Sequence, residues 1–93
     1  MVPYAEGKDH LGMMLEREYF LPRQLSIYRV IKDTGIDGRI LCRTLAGRQR
    51  LPLREALLLA RYFGEEDDFF ARKQLEYDLQ VEKEQREKEL LAA

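Results

Sequence analysis

Apolar positions recur three and four residues apart along most of this chain, and no alternating run is long enough for a strand. Leu11, Met14, Leu15 and Leu21, with Glu18 at the same spacing, predict a first helix over 11–21, closed by Pro22. Ser26 suits the N-cap of a second helix, 27–34, with Val30 and Ile31 inward and Gly35 as its stop. Asp37 caps a third helix running to Ala46, which Gly47 ends. Pro52 opens a fourth, with Leu53, Ala56, Leu57, Ala60 and Phe63 as the expected buried stripe up to Gly64. Glu65-Glu66-Asp67-Asp68 then suits the positive end of a fifth helix, along which Phe69, Phe70, Tyr77, Leu79 and Val81 are apolar.

From Glu82 to Glu89 no residue is apolar, while Glu82–Arg86 and Glu84–Lys88 form (i, i+4) pairs worth about 0.2–0.5 kcal/mol each. The expected organisation is an all-α, five-helix domain over 10–81, preceded by a leader, 1–9, and followed by a charged helical extension, 82–93. Two short helices joined by Thr34-Gly35-Ile36-Asp37 have the length and turn of a helix-turn-helix. On the third helix, Ile40, Leu41, Thr44 and Leu45 share the face that would pack inward. Gly38, Arg39, Cys42, Arg43 and Ala46 share the other. Two arginines among small residues suit a DNA major groove, where the guanidinium fork reaches guanine O6 and N7. The same pattern also describes an ordinary amphipathic helix with two surface arginines.

Composition at first points away from nucleic acid: 93 residues carry 16 Lys+Arg and 17 Asp+Glu, a net charge of −1. The charge is segregated, however. Residues 17–54 hold nine basic side chains against three acidic ones, and residues 55–93 hold six against eleven. A single Cys and a single His exclude a disulfide framework and a multi-ligand zinc site, and no cofactor is expected. No apolar run approaches the roughly 18–20 residues of a membrane span. The opening Met1-Val2-Pro3-Tyr4-Ala5-Glu6 lacks the features of a signal peptide, so a cytoplasmic location is expected. Cys42 beside arginines has the setting of a lowered thiol pKa, but reads first as a small, serine-like residue. His10 has no second His or paired nucleophile and reads as the start of the first helix; with no catalytic constellation, an enzyme is not expected.

From His10 to Leu79, 70 of 93 residues, the chain resembles the HigA-type antitoxins, built on an Xre-like, lambda-repressor-like helix-turn-helix. His10-x-Gly12-x-x-Leu15 resembles the family's opening motif, with Leu11 in place of Pro. Leu25-Ser26-x-Tyr28-Arg29-x-x-Lys32 is similar to its second helix. Gly35-Ile36, Leu41 and Leu45-x-Gly47-Arg48 fit the turn and recognition helix. Ala56-Leu57-x-Leu59-Ala60-x-x-Phe63-Gly64 fits the fourth helix. Phe69-Phe70-x-x-x-Gln74-x-x-Tyr77-Asp78-Leu79 resembles the fifth, with Phe70 in place of Trp.

The resemblance implies a homodimer that binds an operator at its own promoter and sequesters a RelE-like, mRNA-cleaving toxin. It implies DNA contacts from Asp37, Gly38, Arg39, Cys42 and Arg43. On charge, Arg29, Lys32, Arg48 and Arg50 are expected to face phosphate, and Leu75 and Leu79 to form a seam with a second copy. Such a dimer sets its recognition helices about 34–36 Å apart and implies a palindromic operator. Ile27 in place of the usual Gln, Asp37 for Ser, Gly38 for Pro and Cys42 for Ser depart from the family at the DNA-facing end. Asp37 reads as a helix cap that also repels phosphate; its other use would be to accept from cytosine N4. A regulator with no toxin partner, and an interaction module that has lost DNA binding, are the alternatives.

Overall fold

The first helix changes pitch halfway. In a computed structural model that describes residues 9–92, α1 spans Leu11–Leu15 and gives way to one π-helical turn, Glu16–Phe20. The Leu21 N–H donates to the Glu16 carbonyl at 2.9 Å, closing the wider ring. The extra residue rotates the inward position onto Phe20, 3% exposed, and leaves Leu21 65% exposed. The expectation of an ordinary helix with Leu21 inward is therefore corrected: a 3.6-residue period cannot register a wider turn.

Four more helices follow: α2 (Ile27–Thr34), α3 (Gly38–Leu45), α4 (Leu53–Phe63) and α5 (Phe69–Ala92). Their ends obey local chemistry. Ser26 Oγ accepts from the Arg29 N–H at 3.1 Å, and Asp37 Oδ1 accepts from the Arg39 N–H at 2.8 Å. Gly35 and Gly64 close α2 and α4 with φ of 76° and 75°, where a side chain would be strained. The fold is all-helical, with five α-helices and no strand among the described residues. None of these helices is long and apolar enough to cross a membrane. The expected leader lies outside the described residues except for Asp9. α5 runs unbroken through position 82, so domain and charged extension share one helix. At about 1.5 Å per residue its 24 residues reach well past the core, which accounts for a longest dimension of 49 Å.

The core gathers Leu11, Leu15, Val30, Leu41, Leu59 and Phe70, all essentially inaccessible. Tyr19 joins it edge-on to Phe70 at 5.1 Å between ring centres, and lies 5.0 Å from Phe63. On α4 the buried stripe is Glu55, Ala56, Leu59 and Ala60, whereas Leu53 and Leu57, expected inside, are exposed. The Glu55 carboxylate is covered by its neighbour, Arg54 Nη1 at 2.8 Å.

Two glycines set how closely α1 meets the third helix. A Cβ on Gly12 would collide with the Thr44 carbonyl oxygen and lie 2.6 Å from Leu45 Cα, so α1 rests on the α3 backbone with no side chain between. Gly47, at φ 72°, sits under the His10 ring, where a Cβ would come within 2.5 Å of the imidazole. The His10 Nδ1 is buried with no hydrogen-bond partner among the described residues, so protonation there would strand an N–H.

Gly12→Ala is expected to lower stability by about 1–3 kcal/mol or more, since the obstacle is backbone and cannot rotate away; equilibrium urea unfolding measures it. Burial holds the His10 imidazole below its usual value, outweighing the attraction of Asp9. The unfolded chain thus takes up this proton first, and stability falls as pH drops through about 6.5. Thermal melts from neutral to mildly acidic pH should decline more steeply for the native chain than for His10→Gln.

Candidate nucleic-acid interface

The inward face of α3 is fixed by Leu41 and Thr44, both buried, with Thr44 Oγ1 donating to the Ile40 carbonyl at 2.8 Å. That leaves Arg39, Cys42, Arg43 and Ala46 exposed along the opposite face, as the one-and-four spacing predicts. Gly38 is half-buried, its α-carbon turned toward Ile31, so it belongs to the packing between α2 and α3 more than to the open face. The turn before α3 is held from inside: Ile36 is buried, and Thr34 Oγ1 accepts from its N–H at 3.2 Å. Asp37 caps the helix through one carboxylate oxygen, the same atom that lies 3.9 Å from Arg39 Nε. Its negative charge therefore compensates both the helix dipole and the first arginine of the face.

The cations expected to face phosphate divide into two groups. Arg29 Nε is bound to Asp33 at 2.8 Å, and the Tyr62 hydroxyl donates to the same carboxylate oxygen at 2.6 Å. These two donors, Tyr62 foremost, hold the Asp33 carboxyl below its usual pKa, and Asp33 in turn keeps the Tyr62 phenol protonated to higher pH. Arg50 is turned to α5, where its Nη2 and Nε reach Asp78 Oδ2 at 2.6 and 3.0 Å. Arg29 and Arg50 thus have structural partners that the charge count did not disclose. Among the described residues, Arg43 and Arg48 are in no carboxylate ion pair, and Lys32 acts on Asp33 through its charge alone. Arg48 lies at the C-terminal end of α3, its N–H donating to the Arg43 carbonyl at 2.8 Å.

Sequence reasoning assigned no pairing role to the residues that do this sorting, although Gln74 and Asp78 stand in the pattern of the fifth helix. The Asp33 pairing was available from its (i, i+4) spacing to Arg29, but Asp78 lies 28 residues from Arg50 and carries no local signal. Gln74 is a second such residue. Buried at 2% exposure, it accepts from the Leu51 N–H at 2.8 Å and donates to Asp78 at 2.8 Å, tying the segment after α3 to α5. Leu75 and Leu79 are exposed on α5, as a seam would require, and Leu53 of α4 borders the same cleft as Leu75. Tyr28, at the start of α2, is also exposed.

The arrangement defines an all-helical chain with one short, capped helix presenting arginines to solvent beside a structurally paired basic shell. Among solved structures, the chain is similar to a crystal structure of a hypothetical protein from E. coli, at 26% identity and a TM-score of 0.75. The match covers 90% of this chain and 87% of that one. No protein-family model matches the chain, and no curated protein matches it.

The cap can be tested apart from any ligand. Asp37→Ala should lower stability by about 0.5–2 kcal/mol in chemical unfolding, whereas Asp37→Asn, an equally good cap, should stay within a few tenths.

Proposed function

We propose that this chain is a HigA-type antitoxin: a lambda-repressor-like helix-turn-helix protein that binds the operator of its own promoter as a dimer and neutralises a RelE-like toxin. The single observation that carries the DNA-binding part is the outward face of α3. Arg39 and Arg43 stand one turn apart around the small Cys42, on a helix whose other face is locked into the core. The antitoxin part rests on the resemblance of residues 10–79 to that family.

Arg39 and Arg43 read base edges in this proposal, and Lys32 and Arg48 hold phosphate. Arg29 and Arg50 first have to leave Asp33 and Asp78, so their share of phosphate binding is small. Two phosphate-holding cations, at about 0.9 each, give a salt slope near 2 per protomer on duplex DNA rather than the value of about 3–4 that four would give. Asp37 weakens binding through repulsion of nearby phosphate. One observation favours the second reading, an interaction module: Asp37 places a carboxylate at the end of α3 that would approach DNA.

The deciding experiment titrates the DNA upstream of the reading frame with purified protein at several salt concentrations. The expected result is retardation with the lower slope, and a loss of about 1–3 kcal/mol on the preferred sequence for Arg43→Ala. An equal small loss on every sequence removes the base-reading role, and no retardation even at low salt leaves the interaction module. Co-expression with a neighbouring reading frame tests the toxin: relief of toxicity and a co-purified complex are expected.

A further inference from the structure

Arg29 and Asp33 stand on α2 in the order a helix disfavours. Arg29 lies in the first turn, against the positive end of the helix dipole, and Asp33 in the last turn, against the negative end. A cation that precedes its acid at (i, i+4) is likewise the weaker orientation of such a pair. The pair forms nevertheless, at 2.8 Å, and α4 braces it: the Tyr62 hydroxyl, 29 residues further on, donates to the same Asp33 oxygen at 2.6 Å. The Asp33 side chain is 27% exposed and that of Arg29 65%, so the acid is the fixed member and the cation the one free to move. With one partner already held, pairing costs less side-chain entropy than it does between two free surface groups.

We infer that Asp33 occupies, in the free protein, the place a DNA phosphate would take on Arg29, and that this acid thereby withholds one cation and limits how tightly the chain binds duplex. The inference rests on the DNA-binding reading above and deepens it. A carboxylate and a phosphate are both oxygen acceptors for a guanidinium, and the Arg29 Nε that now donates to Asp33 is a donor a phosphate would need. Tyr62 leaves the exchange to the arginine alone, because its hydroxyl still satisfies the Asp33 carboxylate once Arg29 has left. The hydrogen bonds from Tyr62 first and Arg29 second hold the Asp33 carboxyl below its usual range, so the acid stays charged at neutral pH. Lys32 meets the same acid through its charge only, with no bond to break. Arg50 is a different case: its partner Asp78 also accepts from Gln74, which holds Leu51, so that acid serves the fold.

The test titrates the full chain onto its upstream DNA and onto an unrelated duplex, between about 50 and about 200 mM salt. The proteins are native, Asp33→Asn, Arg29→Ala, Lys32→Ala and the double variant Arg29→Ala with Asp33→Asn. Asparagine removes the charge but keeps an acceptor for the Tyr62 hydroxyl, so the melting temperature should stay close to native. Asp33→Asn is expected to bind both duplexes more tightly and to raise the salt slope by about 0.9 per protomer. Its advantage over native protein then grows about 3.5-fold per protomer from the higher salt to the lower. Adding Arg29→Ala should cancel that gain. In the native chain Arg29→Ala should cost less affinity than Lys32→Ala, a comparison that needs no change at Asp33. A slope unmoved by Asp33→Asn, a gain that survives the loss of Arg29, or an Arg29→Ala as costly as Lys32→Ala overturns the withheld cation and leaves DNA binding standing. A native chain that retards neither duplex at the lower salt overturns the DNA-binding reading and this inference with it.

Discussion

Everything on the open face of α3 depends on how α1 lies against its back. Gly12 has no side chain, so the α1 backbone settles directly on Thr44 and Leu45, and α3 is held by contact between main chains. Two residues earlier, the His10 ring covers Gly47, which lies just past the end of α3. A rotation of α3 about its axis would drive Leu41 or Thr44 out of the core. With that rotation blocked, Arg39, Cys42 and Arg43 have no direction open to them except outward. The precision of the proposed recognition surface is thus set by two residues that would never touch a ligand.

A second tether works from the opposite side, through polar groups. The segment between α3 and α4 has a buried N–H at Leu51 that water cannot reach, and Gln74 supplies its acceptor from α5. The same amide donates to Asp78, and Asp78 takes Arg50, so the chain leaving α3 is gripped at successive residues. Each group here answers another, which is the condition under which a buried polar network stabilises rather than destabilises. It also gives the Gln74-x-x-Tyr77-Asp78 pattern a physical reading: the motif is the clamp that positions the segment after α3.

What the chain disclosed beforehand was the local part. Ser26, Gly35, Asp37, Pro52 and Gly64 act on their own neighbours, and each element boundary they mark is found within a residue of its expected place. The failures share a different cause. Phe20 replaces Leu21 inside because a π turn changes the period, and nothing in the spacing announces one. Leu53 and Leu57 are exposed while Glu55 is buried because α4 meets α5 and α2 along a line that its own hydrophobic pattern only partly marks. Arg50 counted as free positive charge because its partner Asp78 arrives through packing, whereas the Arg29–Asp33 pair is local and only its Tyr62 support comes from afar. Charge can be tallied from a sequence, but its availability is a tertiary property.

That distinction changes what near-neutrality means. A net charge of −1 spread evenly would leave no surface for a polyanion, yet here the acids are spent selectively. Asp33 and Asp78 each hold an arginine that lies off α3, Arg23 stacks 5.1 Å from the Tyr19 and Phe63 rings, and Arg54 covers Glu55. On α3 and just beyond it, only Asp37 intervenes, and it does so from the capping position that builds the helix. Meanwhile α5 distributes its own charges around three faces. The inner one carries Phe70 and Gln74, one flank carries Asp78 toward Arg50, and the outer one alternates sign about two exposed leucines.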